Sequence, residues 1–263
     1  MHGREAVTVR YRATVEYDGT DFAGFQIQRN ARTVQGVLED ALARLGNGTR
    51  VRVDGAGRTD AGVHAAGQVI AFTGSGGMDR DRLEEGINGL LPPDVAVRDL
   101  RPVETGWHPR YAARYREYRY TVWNGPRSPL RERQAFGVRR QLNITAMADA
   151  ASVFEGRHDF TAFGGATGRN PVRTVHSVRV GRTGGRLVTI DVRAEAFLRG
   201  QVRRMVAGLL EVGMDRMDAT ALRAALAAPE PALNGAAAPA KGLCLRRVVL
   251  GRRTTWDDKE DEE

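Results

Sequence analysis

Residues 8–17 alternate apolar and polar positions. Val9, Tyr11, Ala13, Val15 and Tyr17 share one face; Arg10, Arg12, Thr14 and Glu16 share the other. That period of two predicts a strand with one buried side. Asp18 and Gly19 then turn the chain, and Phe22 and Phe25 are the apolar anchors of the loop that follows. After Thr33, a capping residue, Val34, Val37, Leu38, Ala41, Leu42 and Leu45 recur at helical spacing, and Gly46-Asn47-Gly48 ends the run. Val51, Arg52 and Val53 predict the end of a second strand and residues 68–72 a third, with a glycine-rich loop between them. A second helix is predicted over residues 78–91, stopped by Pro92 and Pro93, and a short strand over 95–97.

The second half opens on residues 107–123. As a strand, this stretch places Arg116, Tyr118 and Tyr120 on one side and Glu117 and Arg119 on the other. Residues 126–134 are polar and turn-rich. Asn143 caps a helix whose stripe is Met147, Ala150, Ala151 and Phe154, and Gly156 closes it. Residues 172–180 and 187–193 predict a hairpin, and 169–171 the loop before it. A helix is predicted over 197–212, with Val202, Met205, Val206, Leu209 and Leu210 inward and Arg199 and Arg203 one turn apart on a shared face. Asp218 caps a short helix to Leu226, residues 227–240 form a Pro/Ala linker, and 244–250 a closing strand. The order of elements is loosely parallel in the two halves, without a sequence repeat. An α+β architecture of two pseudo-symmetric halves follows as an expectation.

The composition is that of a soluble globular protein, 41% hydrophobic and 27% charged over 263 residues, enough for one large domain or two modest ones. No apolar run approaches membrane-spanning length, and the N-terminus lacks a signal-peptide apolar region. The single cysteine, Cys244, excludes an internal disulfide framework and fits a reducing compartment. A cytoplasmic location is expected. The net charge of +8 favours a polyanionic partner. Of the basic residues only Lys241 and Lys259 are lysines; a GC-rich genome explains that skew, but not the charge. Arg110, Arg114, Arg116, Arg119, Arg127, Arg131, Arg133, Arg139 and Arg140 crowd one third of the chain. Residues 257–263 are mostly acidic and read as a disordered tail.

Candidate chemistry concentrates in residues 55–72, where Gly55, Gly57, Gly62 and Gly67 surround Arg58, Thr59, Asp60 and His64. Glycines let a ligand approach the main chain. A dinucleotide fingerprint is excluded, because Asp60 stands where its third glycine belongs and would repel a pyrophosphate. A Walker loop is excluded because no Gly-Lys-Ser/Thr follows. His64 lies four residues beyond Asp60, but no Cys or His cluster completes a metal set, so it reads as a hydrogen-bonding loop residue. For Asp60, two readings stay open: a local turn or cap, and a lone carboxylate acting as nucleophile or base. His158 and Asp159 read as a structural turn.

The run GRTDAGVHA, residues 57–65, resembles the signature of the TruA-type tRNA pseudouridine synthases. TVQGVLEDAL (33–42), WHPRYAARYREYRY (107–120), GRHDFTAF (156–163), AFLRGQVRRMVAGLLEVG (196–213) and APAKGL (238–243) are similar to the family's other blocks, in the family's order. The resemblance covers about residues 9–250. It implies two α/β halves with mainly antiparallel sheets joined around a central basic cleft, here residues 1–105 and 106–251, with 252–263 as the acidic tail. It implies that Asp60 is the catalytic carboxylate, that Arg203 lies beside it as counter-ion, and that Tyr118 contacts the target base. Arg58, close in sequence, is a second guanidinium that would keep Asp60 ionised. The implied reaction breaks the C1′–N1 bond of uridine, turns the base and rebonds it through C5. It is redox-neutral and transfers nothing to a third party, so no cofactor and no metal are expected. The implied substrate is tRNA, at uridines 38, 39 and 40 of the anticodon stem-loop, and the implied assembly a homodimer. Gln201 and Cys244 depart from the family's usual Met and Tyr, which bears on packing rather than on the reaction. The alternative reading is a non-catalytic basic RNA-binding protein or RNA chaperone of the same fold. A two-metal nuclease lacks the convergent carboxylates it would need.

Overall fold

The computed structural model describes residues 8–46, 48–164, 170–228 and 237–251. Asn47 of the helix stop, Arg169, the middle of the Pro/Ala linker and the acidic tail lie outside them. The chain divides into two compact units; the first ends at Arg114 and takes in Leu250 and Gly251, and the second runs from Tyr115 to Val249.

The first unit is built on the strand β1 (Thr8–Tyr17), followed by α1 (Val34–Leu45), β2 (Asp54–Gly55), β3 (His64–Ser75), α2 (Arg80–Leu90), β4 (Val95–Val103) and the single turn α3 (Pro109–Ala112). β1 lies between β4 and β3, antiparallel to both, and β2 pairs with β3. The alternation in β1 does what it predicts: Tyr11, Ala13, Val15 and Tyr17 are buried, each large one worth about 1.5–3 kcal/mol. Thr33 Oγ1 accepts from the Gly36 N–H at 3.2 Å and caps α1. Asp79 caps α2, and Leu83 and Ile87 form its buried side.

Three element boundaries in this unit differ from those the pattern predicts. Val51, Arg52 and Val53 are not strand. The strand begins at Asp54, because side chains of α1 take the backbone of Val53: its N–H donates to Glu39 Oε1 at 3.1 Å and its carbonyl accepts from Gln35 Nε2 at 3.1 Å. Those groups are satisfied without a neighbouring strand. β3 begins at His64, not at residue 68, which shortens the loop before it. The three-residue strand at 95–97 extends to Val103, held along β1 through a register shift between Arg12 and Thr14.

The second unit holds β5 (Ala113–Asn124), β6 (Phe136–Val138), α4 (Ile144–Ala151), β7 (Gly156–Asp159), β8 (Val172–Arg182), β9 (Leu187–Ala194), α5 (Gln201–Gly213), α6 (Ala219–Ala227) and β10 (Leu243–Leu250). Its strands order as β10-β5-β9-β8-β7, with β6 added parallel to the end of β5. The hairpin β8–β9 and the caps Asn143 and Asp218 stand where the sequence places them. α4 packs on α5, α6 and β8. The α+β expectation with mainly antiparallel sheets holds in both units.

The helix predicted from residue 197 starts four residues later. Gly200 adopts φ +70, a left-handed conformation that suits glycine, and Gln201 Oε1 accepts from the Leu198 N–H at 2.8 Å. Arg199 therefore precedes the helix and shares no helical face with Arg203. Gln201, the departure from the family pattern, is fully buried and serves as this local clamp.

Candidate active site

Asp60 sits on the connection between β2 and β3, and the backbone on either side of it is fixed. Before it, Ala56 N–H donates to Val69 O at 2.8 Å, and the fully buried Gln68 donates through Nε2 to Gly57 O at 2.8 Å. Thr59 is buried; its carbonyl accepts from Phe25 N–H at 3.1 Å and its Oγ1 lies 2.8 Å from the Tyr17 hydroxyl. After it, Val63 N–H donates to Asp60 O at 3.2 Å around Gly62 (φ +77), and Gly62 N–H donates to Phe22 O at 3.2 Å. His64 Nδ1 accepts from Gly19 N–H at 3.0 Å, which makes it the hydrogen-bonding residue expected from sequence. The two loops touch so closely that a Cβ at Gly19 would stand 2.0 Å from Val63 O. Asp60 itself is half-buried and Arg58, on the same loop, is exposed. A carboxylate on backbone held this tightly loses little entropy when it meets a ligand.

The start of the same connection is anchored by Asp54, which the sequence reading passed over. Its Oδ2 accepts from Arg10 Nη2 at 2.6 Å and its Oδ1 from Arg52 Nε at 3.2 Å, with His108 Nε2 at 4.0 Å. Burial pushes the His108 imidazole below its usual range; Arg10, Arg110 and Arg52 add to this and Asp54 opposes it. The neutral ring accepts from Arg110 N–H at 3.2 Å and caps α3. Tyr17, Gln68 and Glu39 are likewise positioning residues that sequence alone did not single out. The only hint for Tyr17 was its place at the end of an alternating strand.

Tyr118 and Arg203 belong to the second unit. Tyr118 is half-buried on β5, edge-on to Phe197 with ring centroids 5.3 Å apart. It pairs with Val192 across the ladder, on the face that also carries Arg116 and Tyr120. On the opposite face, Arg119 grips Asp191 through two bonds of 2.7 and 3.0 Å, and Glu117 accepts from Arg193 at 3.0 Å. The crowd of arginines is therefore not one free basic surface. Arg119 is matched by an acid, and Arg116 is buried with Nη1 on the Glu195 carbonyl. Arg203, on α5, is half-buried and donates through Nε to Ala238 O at 2.6 Å, while Ala238 N–H returns a bond to Arg203 O at 3.0 Å. The Tyr120 hydroxyl donates to Pro239 O at 2.8 Å. The APAKGL block is thus tied to β5 and α5 together. Burial raises the Tyr120 phenol well above its usual range, against a lowering by Arg203, so it stays a hydrogen-bond donor.

His158 and Asp159 take the structural role expected of them. Asp159 Oδ1 accepts from the Thr161 N–H at 2.7 Å and from its hydroxyl at 2.6 Å. Among the described residues no group of three His, Cys, Asp or Glu side chains could hold a metal ion, and no helix is long and apolar enough to cross a membrane.

Comparison with known proteins gives this arrangement its class. A family model described as tRNA pseudouridine synthase matches residues 13–112 and 150–249. The first match contains the Asp60 loop and the second contains α5. The tRNA pseudouridine synthase A of Geobacter sulfurreducens is 42% identical over 237 residues, covering 89% of this chain and 96% of that protein. The protein of the same name from Myxococcus xanthus is 43% identical over 263 residues, covering 96% of this chain and 99% of its own. That from Brevibacillus brevis is 41% identical over 243 residues, at 91% and 99%. The chain belongs to the tRNA pseudouridine synthase family and is an isomerase.

Proposed function

We propose that this isomerase converts uridine to pseudouridine in the anticodon stem-loop of tRNA, at positions 38 to 40, with Asp60 as its catalytic carboxylate. The observation that carries the reading is Asp60 itself, half-buried on a loop whose main chain is bonded on both sides of it, within a stretch that matches the family. Asp60 supplies the anionic oxygen that attacks the nucleoside or takes its proton. Arg58 and Arg203 serve as its counter-ions. Tyr118 holds the uracil after it leaves the stack. Extruding a base costs a few kcal/mol, on the order of what one base–aromatic stack returns, about 1–3 kcal/mol. The enzyme acts as a cytoplasmic homodimer and needs no cofactor, because the isomerisation neither gains nor loses electrons.

The test is Asp60→Asn on unmodified tRNA, with pseudouridine mapped by position. Asparagine keeps the shape and removes the charge, so turnover should fall by at least about a thousandfold, about 4 kcal/mol of barrier, with tRNA binding and folding intact. Substantial turnover by the folded variant would remove Asp60 from its assigned role. Tight tRNA binding by the native chain with no pseudouridine formed would favour a binding protein instead.

A further inference from the structure

The second unit contains a cavity of about 240 Å³ beside the end of β5. Its wall is Trp123, whose Nε1 donates to Pro126 O at 2.7 Å, so the indole is held in place. Next to it in the parallel β5–β6 register is Gly137, where an added Cβ would meet nothing within 4 Å. A side chain added there would enter open space at the mouth of the cavity, and the indole is half-buried. The Arg131 guanidinium lies 5.8 Å from the indole centroid, and Arg127, Arg139 and Lys241 are also in the lining. The lining's one acid, Glu132, is paired with Lys241. Arg127 and Arg139 are exposed and form no ion pair among the described residues.

Three guanidiniums around an anchored aromatic face suit one chemistry above others. Guanidinium forks match phosphate oxygens, and an aromatic face stacks any base. An anionic peptide would use the cations but not the indole. Trp123 leaves β5 on the side opposite Tyr118, since residues five apart on a strand point to opposite faces. A nucleotide held at Tyr118 therefore does not occupy this cavity. We propose that the cavity is an accessory RNA subsite, taking a phosphate-linked base of the substrate away from the nucleotide that reacts. This inference rests on tRNA being the substrate.

The experiment uses the full chain and unmodified tRNA. Arg127→Gln/Arg139→Gln removes two cations; Gly137→Phe fills the cavity and leaves the charge alone. Both should raise KM about three- to tenfold at unchanged kcat. The double variant should also flatten the slope of log Kd against log salt by about one to two. Unfolding midpoints and sedimentation mass, measured alongside, should not move. Folded variants with native KM and slope would overturn the subsite. So would an altered mass with unchanged tRNA affinity, which would assign the cavity and the neighbouring, almost fully exposed Leu130 (97%) to contact with a second copy. Native chain that binds no tRNA at all would overturn the proposed substrate, and the subsite with it.

Discussion

At the scale of single residues, the Asp60 loop depends on buried polar side chains that carry no chemistry themselves. Gln68 shows this most sharply. Its Nε2 holds Gly57 O in a part-buried bond, and its Oε1 accepts from Val69 N–H at 3.1 Å away from water. Gln68→Leu keeps the volume and strands two backbone groups, at about 1–3 kcal/mol for each left unpaired. Urea denaturation should show a lowered midpoint at unchanged m-value. The kcat should fall with it while tRNA binding holds, because the loop that carries Asp60 loses one of its ties. A native midpoint would mean that water replaces the amide at no cost. The signature GRTDAGVHA was legible from sequence because its spacing is specific, but Gln68 was not. A glutamine in a strand is ordinarily an exposed residue, and its partner eleven positions earlier has no signature.

At the scale of elements, the helices were legible where periodicity and cap agreed, as in α1 and α6, and β1 from its alternation alone. α4 starts at its Asn143 cap but ends at Ala151, because a 3-10 turn takes residues 152–154 and Gly156 opens β7. The misplaced boundaries were decided by individual hydrogen bonds and backbone angles that periodicity does not carry, some distant in the chain and some local. Glu39 and Gln35 of α1 end the candidate strand at Val53. A left-handed glycine and a glutamine side chain delay α5 to residue 201. α3 is a third case, too short to announce itself by periodicity and held by the neutral His108 ring. Its imidazole pKa is lowered in the folded chain, chiefly by burial. Between that value and the ordinary one near 6.5 the unfolded chain binds more protons than the folded chain. Stability contributed here is thus full above about pH 6.5 and is lost as the pH falls through the folded value. His108→Asn can still cap but cannot titrate in this range. The native chain should lose stability relative to the variant as pH drops from about 7 to 5, measured by thermal unfolding in matched buffers. Parallel curves would show that the ring does not matter to acid sensitivity.

At the scale of the whole molecule, the net charge of +8 overstates what any one arginine contributes. Several are already spent within the fold, and the tRNA affinity should register only those that are not. The native chain should lose affinity steeply with salt, because each cation on a phosphate releases condensed counterions; six to ten such contacts correspond to about 10³–10⁵ between 50 and 200 mM. Arg119 should be silent in that measurement. Its two bonds to Asp191 make a matched pair, and the burial of Arg119 and its desolvation are outweighed by that hydrogen bond, which raises its pKa. Arg119→Gln/Asp191→Asn removes one charge of each sign and keeps hydrogen-bonding groups on both strands. The log–log salt slope should then stay native, and the stability should change by no more than about 1 kcal/mol, since the pair is partly exposed. A slope flattened by about one unit would mean that Arg119 leaves Asp191 for a phosphate when RNA binds, and that the charged ladder of β5 and β9 belongs to the RNA-binding surface.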